Sequence, residues 1–227
     1  MGQGEVLQVL ADAVKPEDWV VAAAGYQPGD LLKLWSVPPG AFAHIEFGFS
    51  CMGHEIPAGL GIRLAGAPGE VFVVIGDGTY LMNPTELVTA AQEGLKLTVL
   101  LLENGGYQSI HHLALGNLNA SAGNEFRSRN GGRLPDGAQV VIDYEANARS
   151  MGVDAVRAET PDALRTALEI ARLSERTTVI VCTTDPNRPL LSSGAFWDLG
   201  VPESATSPAT AQLAADHQAA RAAQRSY

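Results

Sequence analysis

The chain has 227 residues, 46% of them hydrophobic, enough for one well-filled core with at most a small appendage. A net charge of −10 and a pI near 4.9 exclude a nucleic-acid surface, which is built from clustered lysine and arginine. Cys51 and Cys182 share no CxxC or zinc-like spacing, so neither a disulfide scaffold nor a structural zinc site is indicated.

The opening MGQGEVLQVLADAV places no basic region ahead of an apolar stretch. No window approaches the roughly 18 to 20 apolar residues of a membrane span. A cytoplasmic protein without a membrane partner is expected. Val6, Leu7, Leu10 and Val14 recur at helical spacing, which predicts an amphipathic helix over about Glu5–Val14. Four apolar runs follow, each ending in a polar loop: WVVAAAG (19–25), EVFVVIGDG (70–78), LKLTVLLLENGG (95–106) and TTVIVCTTD (177–185). Runs of this kind suit buried strands of a parallel sheet.

Helical segments separate them: HEIPAGLGIRLAG, NPTELVTAAQEG and TPDALRTALEIARLS, the last with Thr160 as its cap, Pro161 as its first residue and Leu164, Leu168 and Leu173 as apolar positions. The alternation predicts an α/β fold, a mostly parallel sheet flanked by helices, with ligands gathered at the carboxyl ends of its strands. Residues 1–190 form this domain, and residues 191–227 form a C-terminal extension whose alanine-rich part, Pro208–Arg225, is helical. The stretch Ala114–Ala138, rich in Gly, Asn and Ser, is either a surface loop or an active-site loop, because it follows the ligand end of a strand.

Chemistry concentrates in Gly76, Asp77, Gly78 and Thr79 after VFVVI. The glycines allow a tight turn and close backbone approach to an anion, and the residues beyond can open a helix. Asp77 would repel a diphosphate unless a cation stood between them. Magnesium, a hard ion taking about six oxygens, commonly bridges one or two carboxylates to phosphate. Asn104, at the end of the next strand, offers a neutral oxygen, and a backbone carbonyl in 105–107 could add another. Neither a GxGxxG nor a GxxxxGK[ST] pattern occurs.

GDGTYLMNPTELVTAAQEGLKLTVLLLENGG resembles the cofactor signature of thiamine-diphosphate enzymes, which begins GDG and ends in Asn. It is found in the C-terminal domain of acetolactate synthases, pyruvate oxidases and benzoylformate decarboxylases. The resemblance covers roughly Glu5–Asp185. Where that family more often ends in Asn-Asn, this chain has Glu103-Asn104. GDLLKLW, HIEFGFSCMGHEIPAGLG, NEFRSR and AFWDL look closer to one branch, the decyclizing acylhydrolases of a trihydroxycyclohexane-1,2-dione.

The resemblance implies thiamine diphosphate and Mg2+ as cofactors. Asp77, Asn104 and the Gly106 carbonyl would hold the metal, and Gly76, Gly78 and Thr79 would contact the diphosphate. Met52 would support the thiazolium, and Gly53 would lie beside the aminopyrimidine. It further implies that the glutamate activating the cofactor comes from another subunit's N-terminal domain, so a second, pyrimidine-binding chain is expected, in a heterodimer or heterotetramer. Spacing assigns that role to none of Glu46, Glu55, Glu86 or Glu103.

His44, His54, His111 and His112 are candidate proton-transfer or substrate-contact residues. Arg127, in a cluster with Glu125 and Arg129, is a candidate clamp for a polyol or carboxylate. The leading expectation is the cofactor subunit of a split C–C hydrolase or lyase acting on a cyclic polyol dione or related carbonyl compound. The alternatives are a split 2-keto-acid decarboxylase or carboligase, and a noncatalytic stabilising or regulatory subunit.

Overall fold

The computed structural model describes residues 1–190, 201 and 207–224. The first half contains α1 (Gln3–Ala13), β1 (Trp19–Ala22), α2 (Tyr26–Leu34), β2 (Phe42–Ile45), α3 (Glu55–Leu64), β3 (Val71–Gly76), α4 (Asp77–Tyr80) and α5 (Glu86–Gln92). There follow β4 (Thr98–Glu103), α6 (Gln108–Leu118), α7 (Tyr144–Ser150), β5 (Asp154–Ala158), α8 (Pro161–Leu173), β6 (Thr178–Thr183) and α9 (Pro208–Ala222). The six strands form one sheet, every pair parallel, in the order β2-β1-β3-β4-β6-β5.

The four apolar runs are the four interior strands. The two strands that no apolar run marks, β2 and β5, are the edges. β2 buries none of its four residues and β5 buries only Ala158. An edge strand covered on few sides has no need of a continuous apolar run, so that signal is absent.

Side-chain alternation sorts the interior strands into two cores. Val20, Ala22, Phe72, Val74, Leu100, Leu102, Ile180 and Cys182 face α1 and α8, where Val6, Leu7, Leu10, Leu164 and Leu168 are buried. Val21, Val73, Ile75, Val99, Leu101, Val179 and Val181 face α3, α5 and α7, meeting Ile56, Leu60, Leu87 and Ala148. α8 begins as expected, with Thr160 Oγ1 accepting the Ala163 amide at 3.2 Å and Pro161 in the first turn. Leu173, expected on its apolar side, is 86% exposed. It lies five residues beyond Leu168, about 140° around the helix axis.

Asp18, just before β1, ties the first core together. It is buried and accepts from Arg172 Nη2 of α8 at 2.7 Å and from the amides of Lys15 and Glu70, each at 2.8 Å. Burial alone would raise its carboxyl, but the Arg172 bonds and these amides hold it below the usual value.

Residues 114–118 belong to α6, which ends where Asn119 turns left-handed at φ 50°. The remainder of the Gly- and Asn-rich stretch is fastened to the exit of β4 by backbone bonds. Tyr107 donates to Asn124 O and Phe126 donates to Gly105 O, both at 2.8 Å, and Val140 donates to Phe126 O at 2.7 Å. In the C-terminal extension no residue of α9 is buried, and the AFWDL segment lies outside the described residues. Among the described residues no helix is long and apolar enough to cross a membrane.

Candidate functional site

β1 lies between β2 and β3, so successive crossovers leave the middle of the sheet in opposite directions. In open parallel sheets such a switch point, at the carboxyl ends of the strands, is where ligands bind. Asp77 stands at this end, the first residue of the short α4, with no exposed surface. Its Oδ2 accepts three consecutive amides from the exit of β4: Asn104 at 3.1 Å, Gly105 at 2.7 Å and Gly106 at 3.2 Å. Its Oδ1 accepts from Gly78 N at 2.8 Å. Burial pushes this carboxyl up to about 6, and the four amides pull against that rise. The amides supply donors, but no cation among the described residues pairs with the charge.

The Asn104 amide oxygen faces only acceptors, Gly106 O at 2.8 Å and Asp77 Oδ1 at 3.1 Å. With nothing between them the amide would turn its nitrogen inward and donate to both. With a divalent cation between them the oxygen orientation is the favourable one. Octahedral magnesium–oxygen bonds of about 2.1 Å set neighbouring ligands about 3 Å apart, and the observed spacing matches. One carboxylate, one amide and one carbonyl are a donor set for a hard cation completed by phosphate or water. Among the described residues no cluster of three His, Cys, Asp or Glu side chains offers a softer site.

The backbone shape depends on glycine at two places. Gly106 has φ 141°, and a Cβ there would stand 2.5 Å from Asn124 O. A Cβ on Gly78 would stand 2.6 Å from the Tyr107 ring, so the first turn of α4 and the loop after β4 touch directly. Gly76 and Thr79 flank Asp77, with Thr79 buried. Gln27, buried at the start of α2, reaches the same place: its Nε2 would lie 2.9 Å from a Cβ on Gly76. Gln27 was not among the candidate residues, although a polar residue opening a helix directly after a buried strand and a glycine is a usable signal.

Met52 and Gly53 lie in the turn leading into α3, with Met52 38% exposed and Gly53 at φ 88°. Gly53 packs on Asn83 and Met82 beyond α4, so this turn borders the β3 exit. Glu55, the next acidic residue, has no exposed surface. Its Oε1 accepts from Ala24 N at 3.1 Å, while Oε2 has no partner. Burial drives its carboxyl up to about 7, against the amides of Glu55, Ala24 and Gly53. A Glu opening a helix usually reads as a solvated first-turn charge, which is why its burial was not legible.

The histidines divide. His54 caps α3 and its Nε2 stands 2.9 Å from that of His44 on β2. His111 and His112 are on α6. His112 Nδ1 is 3.0 Å from Gln108 O. His111 is buried, its Nε2 3.8 Å from Glu125 and its Nδ1 without a partner. Glu125 is bridged to Gly106 through the backbone and also takes Arg127 in a two-pronged pair at 3.0 and 3.2 Å. The structure thus gathers His111 and Arg127 around Glu125 beside Gly106, with Arg127 already engaged.

This strand-end geometry agrees with the relationships of the sequence. The chain belongs to the thiamine pyrophosphate enzyme family, whose C-terminal TPP binding domain matches residues 24–182. Within that family it is 36% identical over 208 residues to 3D-(3,5/4)-trihydroxycyclohexane-1,2-dione hydrolase of Clostridium tetani, covering 91% of this chain and 32% of the relative. It is also 39% identical over 185 residues to 3D-(3,5/4)-trihydroxycyclohexane-1,2-dione hydrolase 2 of Bacillus cereus, covering 81% and 29%. The fold is similar, with TM-score 0.60 and 28% identity over 82% of this chain and 32% of the other, to an X-ray structure described as a thiamin diphosphate-dependent enzyme from Mycobacterium smegmatis. The chain therefore spans about a third of the length of these relatives.

Proposed function

We propose that the chain holds thiamine diphosphate through Mg2+ and, with a pyrimidine-binding chain or domain over the same strand ends, hydrolyses a C–C bond beside a carbonyl of a cyclic polyol dione. The single observation that carries the cofactor reading is the convergence of Asp77 Oδ1, Asn104 Oδ1 and Gly106 O at ligand spacing. The reaction class rests on the names of the relatives. When bound, thiamine diphosphate supplies an electron sink for cleavage next to a carbonyl.

The chain's own residues bind, orient and exclude water. Asp77, kept in place by four amides, gives the cation its one protein charge. Asn104 and Gly106 give neutral oxygens that do not repel phosphate. The Gly76 and Gly78 backbone and Thr79 border the diphosphate position, while Met52 and Gly53 line the far side. In this reading His111 Nδ1, buried and unpartnered, holds or moves a proton beside the Gly106 loop, with Glu125 3.8 Å from its other nitrogen.

Phe47 and Phe49, in the loop that carries Met52, are 54% and 90% exposed, and Met82, which meets Gly53, is 54% exposed. An apolar rim around a polar cleft fits coverage by a partner. The relatives carry about two thirds of their length outside the matched region, and we assign the cover to a counterpart of that portion.

The test is calorimetric titration of the chain, alone and with its co-purified partner, using thiamine diphosphate with Mg2+ or with chelator. Binding that requires Mg2+ and disappears in Asp77→Asn is expected. Binding indifferent to both would overturn the cofactor reading. Ring opening of the cyclic dione by the assembled complex supports the reaction class, whereas carbon dioxide release from 2-keto acids replaces it.

A further inference from the structure

Glu103 ends β4 and directly precedes Asn104, so a carboxylate stands one residue from the oxygen cluster. Left free, it would compete for a cation and repel a diphosphate. It is not free. Arg157 Nη1 of the edge strand β5 donates to Glu103 Oε2. The same Nη1 reaches Thr183 Oγ1 of β6 at 2.7 Å, and Arg157 Nε donates to Glu145 Oε2 of α7 at 2.7 Å. Thr183 Oγ1 also lies 3.3 Å from Glu103 Oε2. The main chain of Glu103 is pinned as well, its carbonyl accepting Thr184 N at 2.8 Å and Thr184 Oγ1 at 3.0 Å.

The three side chains of the ion-paired group are 19–28% exposed, so solvent screens them only in part. Immediately after Glu103, three successive amides turn onto Asp77 Oδ2. The shape of that turn therefore depends on where Glu103 is held.

We propose that Arg157 is a positioning residue for the Asn104–Gly106 turn: by fastening and neutralising Glu103 from the sheet edge, it sets the affinity of the site for a divalent cation and a diphosphate. This rests on the cofactor reading above. A planar guanidinium serving Glu103, Glu145 and Thr183 at once matches the fork geometry that an ammonium lacks. Partners that orient metal ligands typically change metal affinity by about 10- to 100-fold when removed.

The experiment titrates thiamine diphosphate into the wild type, Arg157→Met, Arg157→Lys and the double variant Glu103→Gln/Arg157→Met over a series of Mg2+ concentrations, with thermal melting in parallel. Arg157→Met is expected to raise half-saturating Mg2+ by about 10-fold or more, and Arg157→Lys by less. The double variant, in which Glu103 no longer carries a charge beside the turn and only the more distant Glu145 loses its partner, returns to within about threefold of the wild type. A merely structural tie predicts the contrary, equal loss of stability in single and double variants and unchanged Mg2+ dependence, and that result would overturn the proposal. If Arg157→Met does not fold, Arg157→Lys and the double variant decide between the two outcomes. If the wild type itself shows no Mg2+-dependent binding, the cofactor reading fails and this inference with it.

Discussion

Asp77 Oδ2 accepts the Gly105 amide at 2.7 Å across twenty-eight residues of chain, so the same carboxylate that faces the candidate cation also shapes the loop that completes the site. Asp77→Ala should strand four backbone donors, two of them in buried residues. An unsatisfied buried donor costs about 1 to 3 kcal/mol. We expect Asp77→Ala to lose more than about 3 kcal/mol in denaturant unfolding. Asp77→Asn, which keeps one acceptor oxygen, should lose less while binding no cation. Equal stability of the two variants would show that the amides find other partners.

Gly106→Ala should detach the segment that carries Glu125. The added methyl meets Asn124 O and a backbone at φ 141°, a conformation costing about 1 to 3 kcal/mol for a residue with a side chain. Hydrogen exchange at Tyr107 and Phe126, whose amides bond across this junction, should rise by at least about tenfold. Unaltered protection would mean that the junction tolerates the methyl.

Glu55 gives stability a pH dependence. Burial raises its carboxyl from the ordinary 4.5 to about 7, so between these values the folded protein binds the proton more tightly than the unfolded chain. Its contribution is complete below pH 4.5, declines as pH rises, and is lost above 7. The difference is on the order of 3 kcal/mol. Glu55→Gln should flatten this part of the profile and melt higher than the wild type at pH 8. A wild type and variant that melt in parallel from pH 5 to 8 would refute the assignment.

Arg172→Met should destabilise the first core by about 3 kcal/mol, because it leaves Asp18 charged and buried. Asp18 titrates below its usual value, so the contribution it makes is present above the unfolded carboxyl's range and disappears as pH falls through the folded one. The penalty of Arg172→Met should therefore shrink below pH 4. A pH-independent penalty would point to lost packing on Phe72, whose ring lies 5.5 Å from the guanidinium.

The sequence made some of this legible because the signals are contiguous. Val71–Gly76 and Thr98–Glu103 announce buried strands, and GDG and ENGG mark their ends within a few residues. Phe42–Ile45 and Asp154–Ala158 were silent because an edge strand needs little apolar surface. Arg157 and the burial of Glu55 were silent for another reason: each depends on a partner thirty or more residues away, Glu103 for Arg157 and Ala24 for Glu55. Helix α6 was hidden by the Gly, Asn and Ser content that begins in its last turn.

The pairing of β3 with β4, Ile75 opposite Leu101 and Gly76 opposite Leu102, gives the core a role as a caliper. A slip of one residue would carry Asn104 about 3.3 Å along the sheet from Asp77 and would turn Leu100 and Leu101 to each other's faces. The two packed layers forbid such a slip. Misplacement of the oxygen cluster is thus not a graded error that a core substitution can introduce by degrees: a core weakened at Val73 or Leu101 should yield fewer competent molecules, each with an unaltered site.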